Sequence, residues 1–196
     1  MVVPHGWNRV GPLARLNVCD YIPTPLADAE LGEFRAYTNG KTNNHTMHTH
    51  WARLIELLHC AEAIRDLLLD PGILDSDQRP PINRRSEGIG VIEAPRGTLI
   101  HHYHADAKGR ITKCNLVVST THNNEPMNQA VGWVARNVLE GQQDITEGLM
   151  NQFEVAIRAY DPCLSCATHA MGRMPLIVEV LDADGHCVAE HVKNAA

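Results

Sequence analysis

Between His48 and Leu69 the residues Trp51, Leu54, Ile55, Leu58, Ala61, Ile64, Leu67 and Leu68 recur three and four positions apart. That spacing lays apolar side chains along one face of an α-helix. Asp70-Pro71-Gly72 stops it, because proline lacks the amide a helix needs and glycine favours the turn that follows. A stripe this long must bury against other elements, so the segment is expected to be core scaffold.

Around it the pattern is mixed. The first forty residues are rich in Pro, Gly and Asn and predict a loop-rich entry with one short helix near Leu26 to Tyr37. From Gly88 to Thr121 short apolar runs alternate with turn residues. Gly90 to Ala94 and Thr98 to Tyr103 read as strands, Asp106 to Gly109 as a turn and Ile111 to Ser119 as the returning strand. Helices are expected from Glu125 to Leu139 and from Ile145 to Tyr160, the second with Leu149, Phe153, Ala156, Ile157 and Tyr160 on one face. Leu176 to Val180, the turn Asp182 to Gly185 and Cys187 to Ala189 read as a closing hairpin. The fold class is α+β: mainly helical, with a small antiparallel β-meander and a C-terminal β-hairpin.

With 196 residues and a net charge of −6 the chain reads as a globular domain, or part of a larger one, too acidic to bind nucleic acid electrostatically. No apolar run is long enough to span a membrane, and Met1-Val2-Val3-Pro4-His5 has no basic flank of a secretory signal, which predicts a cytoplasmic location. Six scattered cysteines do not form the dense framework of a secreted mini-domain, so reduced thiols are expected.

Asp161-Pro162-Cys163-Leu164-Ser165-Cys166-Ala167-Thr168-His169 is the segment that carries chemistry. Two thiols three residues apart can sit on one side of a turn and grip one soft metal ion or bridge two. A structural zinc knuckle would draw on a second close-spaced pair, which is missing from the sequence. A redox dithiol usually opens a helix after a strand, whereas this one follows a helix. Metal site, redox pair and unrelated thiols all stay open on spacing alone.

Other groups have simpler readings. His45, His48 and His50 have a spacing that can bind zinc or nickel, but they stand among Asn and Thr at a helix start, where capping accounts for them. Strand alternation sends His102 and His104 to one face and His101 to the other, so the three are not expected to share a site. In Glu93-Ala94-Pro95-Arg96-Gly97 a stiff bend presents an arginine that can hold anions or stabilise developing charge; the plain alternative is a surface turn. Cys19, Cys60 and Cys114 read as small apolar fillers and Cys187 as a filler or surface thiol.

Taken together, Glu93 to His102, Val118-Ser119-Thr120-Thr121-His122-Asn123-Asn124 and Asp161 to His169 resemble the C-terminal half of the large subunit of nickel–iron hydrogenases, in the family's order. The likeness is greatest to the cytoplasmic, bidirectional, NAD-linked type. The resemblance implies that Cys163 is a terminal thiolate on nickel and that Cys166 bridges nickel to an iron carrying cyanide and carbon monoxide. It implies that His169 is a ligand of a nearby magnesium, that Arg96 stands over the open metal position with Asp161 beside it, and that Thr120 donates to an iron-bound cyanide while Pro95 lines the pocket. It also implies partners: a small subunit with iron–sulfur clusters, diaphorase subunits, a maturation endopeptidase and nickel-insertion chaperones.

Two departures shape the expectation. The R-x-C-G-x-C motif that supplies the family's other two thiolates is missing, so the sequence is expected to depend on an N-terminal half of the large subunit and to be inactive alone. Residues 170–196 follow the motif histidine where the family's maturation cut falls, which predicts residues 1–169 as the working portion and 170–196 as a removable extension. No G-x-G-x-x-G fingerprint or cluster motif for NAD or iron–sulfur binding occurs. The rivals are a non-catalytic assembly module holding zinc or nothing, and a thiol-disulfide protein.

Overall fold

The computed structural model describes residues 6–76, 85–139, 146–163, 176–181 and 184–193. Helices α1 (Pro12–Val18), α2 (Pro25–Tyr37) and α3 (His48–Leu69) form one layer, whose core is built from Leu13, Leu16, Ala27, Leu31, Phe34 and Ile55. Phe34 meets Trp51 edge to face, with ring centroids 5.3 Å apart, a favoured aromatic geometry. Helix α1 falls where the sequence predicts only loop. Both α1 and α2 begin with proline, whose missing amide costs nothing at a helix start.

The first turn of α2 has no cap from its own Thr24. The buried carboxylate of Glu62, on α3, accepts the backbone amides of Leu26 and Ala27 at 3.3 and 3.0 Å. A negative group there satisfies orphan donors and meets the positive end of the helix dipole. These bonds, opposed by burial, hold the Glu62 carboxyl below its ordinary value.

Helix α3 runs as the spacing predicts, but its burial does not follow the predicted stripe. Thr49, Ala52, Ile55 and Glu62 are buried, whereas Leu54, Ile64, Leu67 and Leu68 are exposed. The helix is apolar on two sides, and α1 and α2 cover only one. Asp70 then caps the 3-10 turn Pro71–Leu74 by accepting from the Gly72 amide at 2.8 Å.

Strands β1 (Glu87–Ala94), β2 (Gly97–Ala105) and β3 (Ile111–Val117) make an antiparallel sheet in that order. Val91 pairs with Ile100, and His102 with Asn115. After it come α4 (Ser119–His122), for which the sequence predicts no helix, and α5 (Asn124–Val134), which runs on into a π-helical stretch at Ala135–Leu139 and so covers the span where the sequence predicts a helix. Helix α6 (Glu147–Arg158), capped by the Thr146 hydroxyl, packs Phe153 and Ala156 against Val134 in a second apolar cluster. Strands β4 (Leu176–Leu181) and β5 (Cys187–Lys193) form the hairpin expected at the end; Asp182 and Ala183 of its turn lie outside the described residues. Of the single cysteines, Cys19 packs against the first core, while Cys60, Cys114 and Cys187 are exposed, so the filler reading fails for Cys60 and Cys114. Burial pushes the Cys19 thiol up.

Candidate metal centre

The hairpin between β1 and β2 closes in two residues, Pro95 and Arg96, because Ala94 pairs with Gly97. Gly97 is buried at φ +135, and a β-carbon there would run into the Val10 side chain. Only glycine allows both the dihedral and the approach. From the other side Arg15 clamps the loop, donating to the carbonyls of Ala94 and Pro95 at 2.9 Å each and to Glu93 at 2.5 Å. Its remaining donors grip Glu56 through two bonds of 2.6 Å. The sequence carries no signal for Arg15, since it acts on backbone carbonyls of a strand far along the chain.

So held, Arg96 reaches Asp161: Nε lies 3.1 Å from Oδ2, in a pair 48% and 44% exposed. Asp161 stands at the end of α6 with φ +50, a left-handed conformation that asparagine and aspartate tolerate better than most residues. Pro162 prevents the helix from continuing. The preceding Tyr160 is buried, and its hydroxyl donates to the Pro126 carbonyl at 2.9 Å and accepts from Arg9 at 2.9 Å. That anchor fixes where the chain emerges.

Two residues later the Cys163 amide donates to the Thr120 hydroxyl at 3.4 Å. Thr120 is buried on α4, and α4 is tied to the entry segment by Asn123, whose amide pairs both ways with the Val10 backbone at 3.0 and 3.1 Å. Residues 8–11, expected only as loop, thus join the hairpin to α4. The Nε2 atom of His122 is buried with no partner among the described residues. The Cys163 sulfur is in a disulfide, and a thiolate ligand needs it reduced. Cys166 and His169 lie outside the described residues.

The fold therefore gathers Arg96, Asp161, Cys163 and Thr120 from three distant stretches of sequence. Pro95 is exposed on the same loop. Once reduced, the Cys163 sulfur is a soft donor that suits a soft metal, and Asp161, two residues before it, holds an exposed guanidinium that can balance charge on the ligands of such a metal.

The other clusters divide. His48 is spent on Asn43, at 2.8 Å from its Nδ2, and sits edge-on to Tyr37 and Trp51; His50 pairs with Arg53 at 3.1 Å. These are structural uses. His101 turns to Tyr103 at 3.1 Å, apart from His102 and His104, as alternation requires.

A family model for nickel-dependent hydrogenase matches residues 5–169. The chain belongs to the nickel-dependent hydrogenase family. It is 58% identical over 189 residues to the NAD-reducing hydrogenase HoxS subunit beta of Cupriavidus necator, covering 94% of this chain and 38% of that protein. It is 44% identical over 191 residues to an F420-non-reducing hydrogenase of Methanothermobacter thermautotrophicus, covering 94% and 40%. Among solved structures it resembles a NAD+-reducing [NiFe]-hydrogenase in the H2-reduced state, with TM-score 0.79 and 53% identity over 85% of this chain and 37% of that one. This family member thus spans about two fifths of its relatives' length. No helix among its described residues is long and apolar enough to cross a membrane.

Proposed function

We propose that this chain is the C-terminal portion of the catalytic subunit of a nickel–iron hydrogenase that oxidises hydrogen reversibly and passes the electrons toward NAD. The observation that supports the reading is that the Arg96–Asp161 pair and the Cys163–Thr120 hydrogen bond stand two residues apart on one segment, in a chain of this family. Cys163 and Cys166 would hold the nickel, Cys166 also the iron with its cyanide and carbon monoxide, and His169 a magnesium. When bound, the metal pair supplies the heterolytic cleavage of hydrogen.

The chain's own residues supply the surroundings. The Cys163 sulfur, reduced, can take a proton, and the Asp161 carboxylate stands two residues before it, paired with Arg96. The Arg96 guanidinium contributes a positive field. Asp161 holds Nε and leaves the other guanidinium nitrogens to face ligands. The Thr120 hydroxyl accepts from the Cys163 amide and keeps its own hydrogen for a cyanide nitrogen. Pro95 stiffens the loop and lines the pocket.

Two cysteines are half of the four thiolates the centre needs. The other pair is proposed to arrive on the N-terminal part of the large subunit. The bare second face of α3, with Leu54, Leu57, Ile64, Leu67 and Leu68 exposed, supports this, because a helix apolar on both sides belongs inside a larger core. A small subunit with iron–sulfur clusters and a diaphorase would carry the electrons onward. Residues 170–196 are proposed to be removed by an endopeptidase after chaperones insert nickel, in a cytoplasmic assembly.

The test is infrared spectroscopy of this chain co-produced with a polypeptide bearing R-x-C-G-x-C and with the maturation proteins. Diatomic stretching bands from iron are expected. Their absence from a complex loaded with zinc alone would support the assembly module instead.

A further inference from the structure

Outside that centre, β1 and β2 bring a second set of ligand atoms together. Glu87 pairs with His104 across the sheet and Ile89 with His102, so the carboxylate and both imidazoles stand on one face. Nε2 of His102 lies 2.8 Å and Nε2 of His104 3.7 Å from the same Glu87 oxygen. All three ligand atoms fall within 4.8 Å of one another. Among the described residues this is the one such group of three.

We propose that Glu87, His102 and His104 form a second metal site, taking a divalent ion of the zinc class. Ligands at about 2.0–2.1 Å from a tetrahedral ion are about 3.3 Å apart. The two nitrogen–oxygen separations bracket that value, so an ion enters with small rotations of side chains already in place. Two imidazoles and a carboxylate are the donor type for zinc, nickel or copper, and unsuited to magnesium or calcium, which take oxygen. The fourth position is open to water or a neighbouring group, because the side chains are 24%, 34% and 55% exposed for His102, His104 and Glu87.

The surroundings are mixed in sign. Lys113 pairs with His104 from β3, and its charge acts on Glu87. It opposes a cation, so affinity comes from the chelating geometry. His101, Tyr103 and Cys114 belong to the opposite face and take no part.

The site stands apart from the nickel–iron reading and is tested apart from it. The full chain, reduced and stripped with chelator, is titrated with zinc against a chromophoric competitor and with cobalt(II) by visible absorption. Cobalt at Cys163 and Cys166 shows a thiolate charge-transfer band; cobalt at the sheet shows only nitrogen and oxygen ligation. The H102N/H104N double variant is expected to lose the nitrogen–oxygen equivalent and keep the thiolate band. E87Q should weaken that equivalent at least as much as the roughly 10–100-fold that follows loss of a partner to a metal ligand. Zinc should also shift the ring resonances of His102 and His104 in the unaltered chain. Equal binding by wild type and H102N/H104N, or ring resonances that zinc leaves unmoved, overturns the proposal.

Discussion

Arg15 joins fold and site, and its replacement by leucine gives a quantitative test. The side chain is 25% exposed and its partner Glu56 23%. Breaking a fully buried pair costs about 3–5 kcal/mol, and an exposed pair is worth about 0–1 kcal/mol. A pair three-quarters covered, bidentate and also bound to Glu93, Ala94 and Pro95 falls between, at about 2–3 kcal/mol for Arg15→Leu. With a urea slope of about 2 kcal/mol/M, the midpoint should drop by about 1–1.5 M at unchanged slope. Most of the loss is the stranded Glu56 carboxylate, so Glu56→Leu should be partly suppressive. A double-mutant cycle is expected to give a coupling of at least about 1 kcal/mol. In the assembled enzyme the same variant should lower hydrogen uptake although Arg15 touches no metal, because the loop bearing Arg96 loses two carbonyl anchors. A coupling under about 0.3 kcal/mol, with hydrogen uptake unchanged, would refute the reasoning.

Gly97→Ala forces a β-carbon into Val10 at φ +135 and should cost at least the roughly 1–3 kcal/mol of such backbone strain, read by thermal or urea unfolding. Glu62 has its folded pKa depressed, so its contribution is present above the ordinary carboxyl value of 4.5 and is lost as pH falls through the lower folded value; Glu62→Gln should flatten the acid limb of stability measured from pH 6 downward. Mass spectrometry of protein from a maturation-competent host should find the chain ending at His169, and a nickel-loaded complex with residues 170–196 intact would contradict the proposed processing.

Periodicity makes the long elements readable: α3, the meander, α6 and the last hairpin follow directly from spacings of three to four or two. The shorter helices escape it. Helix α1 is only seven residues long, with a Gly-Pro start, and α4 is the four residues Ser-Thr-Thr-His, so neither is long enough to show a period. The buried face of α3 departs from the predicted stripe because its sequence is apolar on two sides and gives no sign of which is covered. Arg96, Asp161, Cys163 and Thr120 are legible as motifs. Arg9, Val10 and Arg15, which help bring those motifs together, act on groups far along the chain and leave no pattern, and Asn123, though it stands inside a motif, gives no sign of its bonds to Val10. Glu87 escapes because alternation along β2 places its histidines without saying which residue of the neighbouring strand stands beside them.

The central claim is that Cys163 is a nickel ligand within reach of Arg96 and Asp161. Nickel and iron content and hydrogen uptake of the assembled complex, wild type against Cys163→Ser, test it most directly. The expected result is equal nickel and iron in the wild type, with nickel and uptake both lost in the variant. A variant that keeps its nickel and consumes hydrogen at the wild-type rate would contradict it.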